Sequence, residues 1–97
     1  IISPVKASLE GLTISLASEL APNIRINCIA PSLSNSKMAS KMLKNSKISE
    51  AIAKQHPLKR LGEGIDSAAL AKFLLSKESS WITGQIIGVD GGRSNIG

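Results

Sequence analysis

The chain has 97 residues, a net charge of +5, 42% hydrophobic residues and only 2% aromatic ones. This length allows one domain at most, and the composition is that of an ordinary globular protein rather than a disordered chain or a membrane-spanning one. The sequence shows no signal peptide, and its single cysteine, Cys28, cannot form an internal disulfide. We therefore expect a cytoplasmic protein with no membrane partner.

The first predicted element is a helix over residues 4–21. It begins with Ser3 as N-cap and Pro4 at the first helical position, a pairing typical of helix starts, and Pro22 ends it. One apolar stripe recurs at helical spacing, and we expect a sheet to cover it. Its members are Val5, Leu9, Leu12, Leu16 and Leu20.

The second predicted element is a strand over residues 24–30. Apolar and polar side chains alternate from Ile24 to Ala30, and Pro31 follows, which cannot donate to a β-ladder. The next five residues, 32–36, are mostly serine and asparagine. A polar loop at the carboxyl end of a parallel strand suits phosphates and amides, although an ordinary strand-to-helix loop is the plainer interpretation.

Residues 37–55 predict one broken helix or two short ones, rich in lysine. Seven of the twelve basic residues lie between positions 37 and 60, and Glu50 is the one acidic residue among them. A solvated helix face is the plainer interpretation, and an anionic substrate or an acidic partner is the alternative. No aromatic residues alternate with the lysines, so we expect no nucleic-acid partner.

The carboxyl-terminal third predicts a helix over 65–76 and a short strand over 85–90. His56-Pro57 stops the preceding helix, and we interpret His56 as a loop or cap residue because no carboxylate or nucleophile is spaced to partner it. No His/Cys cluster suggests a metal site. A helix between two short apolar strands predicts parallel pairing through a right-handed crossover. The 97 residues therefore predict an α/β fold that is one part of a doubly wound parallel sheet.

Several sequence blocks, in this order and at this spacing, resemble the carboxyl-terminal part of the short-chain dehydrogenase/reductase family, whose fold is Rossmann-like. The similarity covers nearly the whole chain. The blocks are Lys6–Thr13, Glu19–Pro22, Ile24–Pro31, Pro57–Gly62, Trp81–Gly84 and Val89–Gly92. The glycine-rich dinucleotide turn and the catalytic serine of the family are not among these residues.

The resemblance implies a role for several residues. Lys6 matches the lysine of the family's Tyr-x-x-x-Lys motif, which holds the cofactor ribose and lowers the tyrosine's pKa, but Ile2 stands where that tyrosine should be. An alternative for Lys6 is a solvated partner of Glu10 one turn later. The resemblance also implies cofactor-binding positions in and after the first strand: Asn27, Pro31, Ser32, Ser34 and Ser36.

Two functional classes follow from the resemblance. One is an NAD(P)-dependent oxidoreductase that moves hydride between nicotinamide and a small carbonyl or alcohol, of which this chain would be a fragment. The other is a catalytically silent relative or truncated product that serves as a structural or binding module. Because Ile2 has no proton to transfer, we expect this chain alone to be inactive. Because the glycine-rich turn that holds the pyrophosphate is not among these residues, we expect it to bind NAD or NADP weakly or not detectably. We also expect a homo-oligomer. The substrate and the choice between NAD and NADP are not encoded in these residues.

Overall fold

The computed structural model describes residues 4–32 and 46–93, and the side chains of 7–32 and 47–93. Ile2, Ser34, Ser36 and the predicted helical residues 37–45 lie outside these ranges. The elements follow in the order α1 (Pro4–Leu20), β1 (Cys28–Pro31), α2 (Ser46–Lys54), α3 (Gly64–Leu74), a short 3-10 turn (Lys77–Ser79) and β2 (Ile86–Val89).

The two strands pair side by side in one sheet. The Cys28 N–H donates to the Gln85 carbonyl at 2.8 Å, and the Ser32 N–H donates to the Val89 carbonyl at 3.3 Å. Both residue numbers rise by four along the ladder, so the strands run parallel. Parallel pairing across an intervening helix confirms the predicted α/β class.

The strand β1 begins later than the predicted position 24. The Ile24 N–H donates to the Leu20 carbonyl at 3.0 Å as the helix ends. The Ile26 N–H donates to the Thr83 hydroxyl at 3.1 Å. The first amide is therefore bonded to the end of the helix and the second to a side chain. The Ile26 carbonyl accepts from the Gly84 N–H at 2.7 Å, and the strand itself begins at Cys28. The predicted bounds of the other described elements differ from the observed ones by one or two residues.

The packed face of α1 is not the leucine stripe that its sequence suggested. Leu9 and Leu12 are each 53% exposed, whereas Thr13 and Ala17 are buried. Thr13 satisfies its own hydroxyl by donating to the Leu9 carbonyl at 2.8 Å. Ala17 packs against the turn at Gly84, where an added Cβ would lie in ordinary contact at 3.5 Å from the Ala17 Cβ. Small side chains thus allow this contact, which periodicity of large apolar residues does not reveal.

The chain divides into two compact units. The first contains residues 1–29 and 71–87, and the second contains residues 30–70 and 88–97. Within the first unit, the Arg25 guanidinium donates to three backbone carbonyls, those of Leu74 at 2.9 Å, Ile82 at 3.1 Å and Ser76 at 3.4 Å. Leu74 is the last residue of α3 and Ser76 lies just beyond it. The Arg25 bonds to these two carbonyls, and the bond from the Ser79 hydroxyl to Leu74 at 3.0 Å, therefore satisfy acceptors at the helix end.

Large apolar side chains are exposed in several places. Trp81 is 98% exposed and Leu75 is 87% exposed. Among the side chains that the structure describes, Ala17 and Leu74 are the only buried hydrophobic ones. No helix within residues 4–32 and 46–93 is long and apolar enough to cross a bilayer.

Candidate functional site

Asn27 lies immediately before β1 and uses both ends of its carboxamide. Its Nδ2 donates to the Ile82 carbonyl at 3.1 Å, and its Oδ1 accepts from the Gln85 N–H at 3.1 Å. The side chain therefore ties the start of β1 to the segment that leads into β2. The family resemblance predicts that Asn27 lies at the cofactor crevice. In the structure, the Asn27 side-chain amide forms these two hydrogen bonds with backbone groups.

Lys6 lies in the first turn of α1, which begins at Pro4. Its side chain is not among those that the structure describes. Pro31 is the exposed last residue of β1, and Ser32 follows it directly. Of the six positions that the resemblance assigns to cofactor binding, Asn27, Pro31 and Ser32 are therefore the ones whose side chains have a described position.

Ser32 and His56 meet although 24 residues separate them in sequence. The Ser32 Oγ lies 2.9 Å from the His56 Nε2, and the His56 Nδ1 lies 2.9 Å from the Ile52 carbonyl oxygen. A carbonyl can only accept, so Nδ1 must carry a proton. In the neutral ring Nε2 is then the acceptor, and the Ser32 hydroxyl donates to it. His56 lies in the turn after α2 and its ring bonds the Ile52 carbonyl, so its prediction as a loop or cap residue is confirmed. The expectation that no nucleophile partners it was wrong, because the Ser32 hydroxyl does, and the side chain is only 1% exposed.

A cavity of about 370 Å³ opens beside this pair, at the carboxyl ends of the strands. It lies within the second unit, and its walls include Ser32, His56, Leu58, Arg60, Val89 and Gly91. The volume is in the range of small-ligand sites, and the carboxyl edge of parallel strands is where α/β folds bind ligands. The geometry therefore makes this cavity a candidate binding site within the second unit.

Arg60 and Asp66 form an ion pair at the edge of the cavity. The guanidinium donates to both carboxylate oxygens, at 2.9 and 3.0 Å. Asp66 lies in the first turn of α3 and also accepts the Glu63 N–H at 2.7 Å, as a capping carboxylate does. The hydrogen bonds from Arg60 and then from Glu63 lower the pKa of Asp66 to about 2. The same pairing raises the pKa of Arg60.

A glycine turn after β2 forms the far wall of the cavity. The Asp90 Oδ1 accepts from the Gly92 N–H at 2.9 Å, and the Gly91 carbonyl accepts from the Leu58 N–H at 3.1 Å. Gly91 has φ of 61°, and a Cβ there would meet the Cβ atoms of His56 and Leu58 at 3.6 Å. Glycine is therefore favoured at this position by its left-handed backbone more than by lack of space.

The side chains that the structure describes contain no group of His, Cys, Asp and Glu that could hold a metal ion. The sequence missed the Ser32–His56 pair because it joins a strand end to the end of a helix. The only signal of it is the polar Ser32 after Pro31 together with a lone histidine, and neither specifies the other.

Comparison with known proteins identifies the family. Residues 1–94 match the family model described as enoyl-(acyl carrier protein) reductase. The short-chain dehydrogenase/reductase SDRA of Arabidopsis thaliana is 44% identical over 87 residues, which are 90% of this chain and 34% of that protein.

Two solved structures have the same fold over most of the chain. A gluconate 5-dehydrogenase from Burkholderia cenocepacia, solved with NADP and tartrate, superposes with a TM-score of 0.82 at 27% identity, covering 92% of this chain and 35% of that one. A 4-hydroxyisoleucine dehydrogenase solved with NADH superposes with a TM-score of 0.86 at 29% identity, covering 92% and 37%.

The chain thus spans about a third of the length of the relatives it matches. The superpositions confirm that its helices and two parallel strands are part of a Rossmann-like fold. The chain belongs to the short-chain dehydrogenase/reductase family and corresponds to the carboxyl-terminal part of that fold.

Proposed function

We propose that this chain supplies the nicotinamide side of an NAD(P)-dependent oxidoreductase that acts on a small carbonyl or alcohol. The match of residues 1–94 to one family carries the proposal. NAD or NADP would supply or take the hydride when bound. The free thiol of Cys28 supports a cytoplasmic location for it.

The residues present suit one end of the cofactor only. Lys6 would hold the ribose hydroxyls, and the loop that begins at Pro31 and Ser32 would lie against the nicotinamide, with Ser34 and Ser36 further along it. The carboxyl edge of β1, where this loop begins, is the ligand edge of a parallel sheet. A pyrophosphate needs the backbone amides of a glycine-rich turn at a helix start, which these 97 residues do not contain. Binding of dinucleotide by this chain alone should therefore be weak.

A second candidate is a catalytically silent relative that acts as a structural or binding module. Ile2, at the position of the family's tyrosine, supports it, because an isoleucine side chain cannot donate or accept the proton that accompanies hydride transfer. In this candidate Lys6 keeps its place in α1 without a partner whose pKa it could lower.

A chimera separates the two candidates. Residues 1–97 replace the matching part of the Arabidopsis relative, and oxidation of NADH and NADPH is followed by absorbance with a panel of carbonyls. We expect Ile2→Tyr to raise turnover by about 10²-fold or more, the usual contribution of a positioned acid–base group. Lys6→Ala in the same chimera is the matched control and should abolish the gain. Turnover by the unaltered chimera, which keeps Ile2, above that of its Lys6→Ala variant supports the oxidoreductase proposal. Turnover that appears only with Ile2→Tyr favours the silent module, and no turnover with either residue in a folded chimera shows that the oxidoreductase proposal is wrong.

A further inference from the structure

The Ser32–His56 pair has a geometry that no cofactor role requires. The hydroxyl and the imidazole are 2.9 Å apart, and the ring is held from its other side by the Ile52 carbonyl, also at 2.9 Å. A nucleophile in hydrogen-bond reach of a base that a third group orients is the arrangement of nucleophilic catalysis. Here a backbone carbonyl takes the orienting position that a carboxylate occupies in a Ser-His-Asp triad.

The tautomer suits this chemistry. Because the Ile52 carbonyl can only accept, the proton of the neutral ring is on Nδ1 and the lone pair is on Nε2, facing the Ser32 hydroxyl. Nε2 is therefore placed to take the hydroxyl proton. The ring is almost fully buried and cannot turn away without losing both bonds.

The surroundings hold the serine and leave room for a substrate. The Ser32 N–H donates to the Val89 carbonyl, which fixes its backbone at the end of β1, and its side chain is only half-buried. Ser32 and His56 both border the cavity of about 370 Å³. A volume near the lower end for ligand sites admits a short acyl group and a small leaving group.

We propose that Ser32 and His56 form a nucleophile–base pair that accepts acyl groups from small activated esters. The Ser32 Oγ forms a bond to the acyl carbon while its proton passes to the His56 Nε2. The ester C–O bond then breaks, and the leaving alcohol takes the proton from Nε2. Water attacks the acyl-serine with the same base, which releases a carboxylic acid and returns the hydroxyl proton to Ser32. The cycle needs no cofactor and is independent of the oxidoreductase proposal.

The test uses the whole chain with p-nitrophenyl acetate, and the release of p-nitrophenol is followed in the absence of any nicotinamide. We expect an initial burst from acylation, then slow turnover. Ser32→Ala should lower the rate by about 10²-fold, and His56→Gln should do the same, because glutamine can replace the hydrogen bonds of the ring but not its basicity. Ser49→Ala, a half-buried serine on α2, is the matched control and should leave the rate unchanged.

A second measurement avoids any loss of folding in the variants. A fluorophosphonate probe is added to the unaltered chain, and the labelled peptide is identified by mass spectrometry. Attack by Oγ forms the O–P bond, expels fluoride and passes the proton to His56, so we expect labelling at Ser32. Labelling elsewhere, or none at all, contradicts the proposal. Hydrolysis as fast in Ser32→Ala as in the unaltered chain contradicts it too, and so does acetyl found only on Cys28 or lysine side chains.

Discussion

Arg25 offers the sharpest test of how the first unit is held together. Its guanidinium, half-buried, contacts no carboxylate in the described residues and instead donates to the carbonyls of Leu74, Ile82 and Ser76. The substitution Arg25→Met keeps most of the apolar stem and removes all of these donors. The loss of stability then measures the hydrogen bonds rather than the packing.

The magnitude follows from what the three carbonyls retain. Each has a second donor: the Ser79 hydroxyl, with its one proton, bonds to Leu74 at 3.0 Å, the Ser79 N–H bonds to Ser76 at 3.4 Å, and the Asn27 amide bonds to Ile82 at 3.1 Å. No acceptor is left without a partner, so the cost is the net value of the bonds and not a desolvation penalty. Two well-formed bonds to a charged donor are worth about 1.5 kcal/mol or more each, which gives roughly 3 kcal/mol for Arg25→Met. Arg25→Lys, with one compact donor group, should recover about a third of this loss.

The assay is urea unfolding followed by far-ultraviolet circular dichroism at one fixed protein concentration. Arg93→Met, an exposed arginine, is the matched control and should change the unfolding free energy by less than about 0.5 kcal/mol. The reasoning is refuted if Arg25→Met costs no more than this control. An Arg25→Lys variant as stable as the parent chain would also contradict it, since the guanidinium reaches Ile82 and Leu74 from two different nitrogens and lysine has only one.

Three further predictions concern other parts of the chain. The pKa of Asp66 is lowered in the folded state from 3.8 to about 2, so its ionised form contributes to folding stability above pH 4, and this contribution is lost as the pH falls toward 2. Asp66→Asn should therefore weaken the fall of the melting temperature between pH 4 and 2, and an unchanged fall would contradict this. Lys59 has φ of 59°, a backbone conformation that glycine adopts without strain. Lys59→Gly should stabilise the fold by about 0.5–1 kcal/mol, net of the lost exposed bond from Nζ to the Lys54 carbonyl, and Lys59→Val should destabilise it by about 1 kcal/mol. Equal melting temperatures for the two variants would rule out strain at this position. With Leu9, Leu12 and Trp81 exposed, the chain should form a dimer or larger assembly in light scattering, and a cooperatively melting monomer of 10.2 kDa would show this to be wrong.

Local patterns were sufficient for much of the fold. Pro4 at the helix start, Pro22 after its end and the alternation before Pro31 all report on neighbours in sequence, and α1 and β1 appear near their predicted places. The predicted start at Ile24 failed because its amide is taken by the Leu20 carbonyl, a choice between two partners that periodicity cannot rank. The packed face of α1 failed for a related reason. The buried face carries Thr13 and Ala17, and Ala17 packs against Gly84. A pattern of large apolar residues does not predict a contact between small ones.

The candidate site was less predictable because its contacts are long-range. Ser32 was assigned to the site through family resemblance, but the histidine that holds its hydroxyl comes 24 residues later, after a lysine-rich segment with no pattern that points back to it. The Arg60–Asp66 pair, six residues apart, could have been anticipated from a capping carboxylate near the start of α3. Burial of His56 could not, since it depends on the end of β1 and the glycine turn after β2 meeting the end of α2.

The bonds of Asn27 bear on how two strands of four residues each find one alignment. A parallel pair this short has few ladder bonds, and a shift by two residues would keep the same faces buried. Asn27 and the Thr83 hydroxyl, which bonds the Ile26 N–H, hold the strands at a point just outside the ladder. The carboxamide donates to the Ile82 carbonyl and accepts from the Gln85 N–H, so it adds two bonds to the observed alignment. Aspartate in its place would keep the shape but present an oxygen to the Ile82 carbonyl oxygen, and one of the two bonds that favour this alignment would be lost.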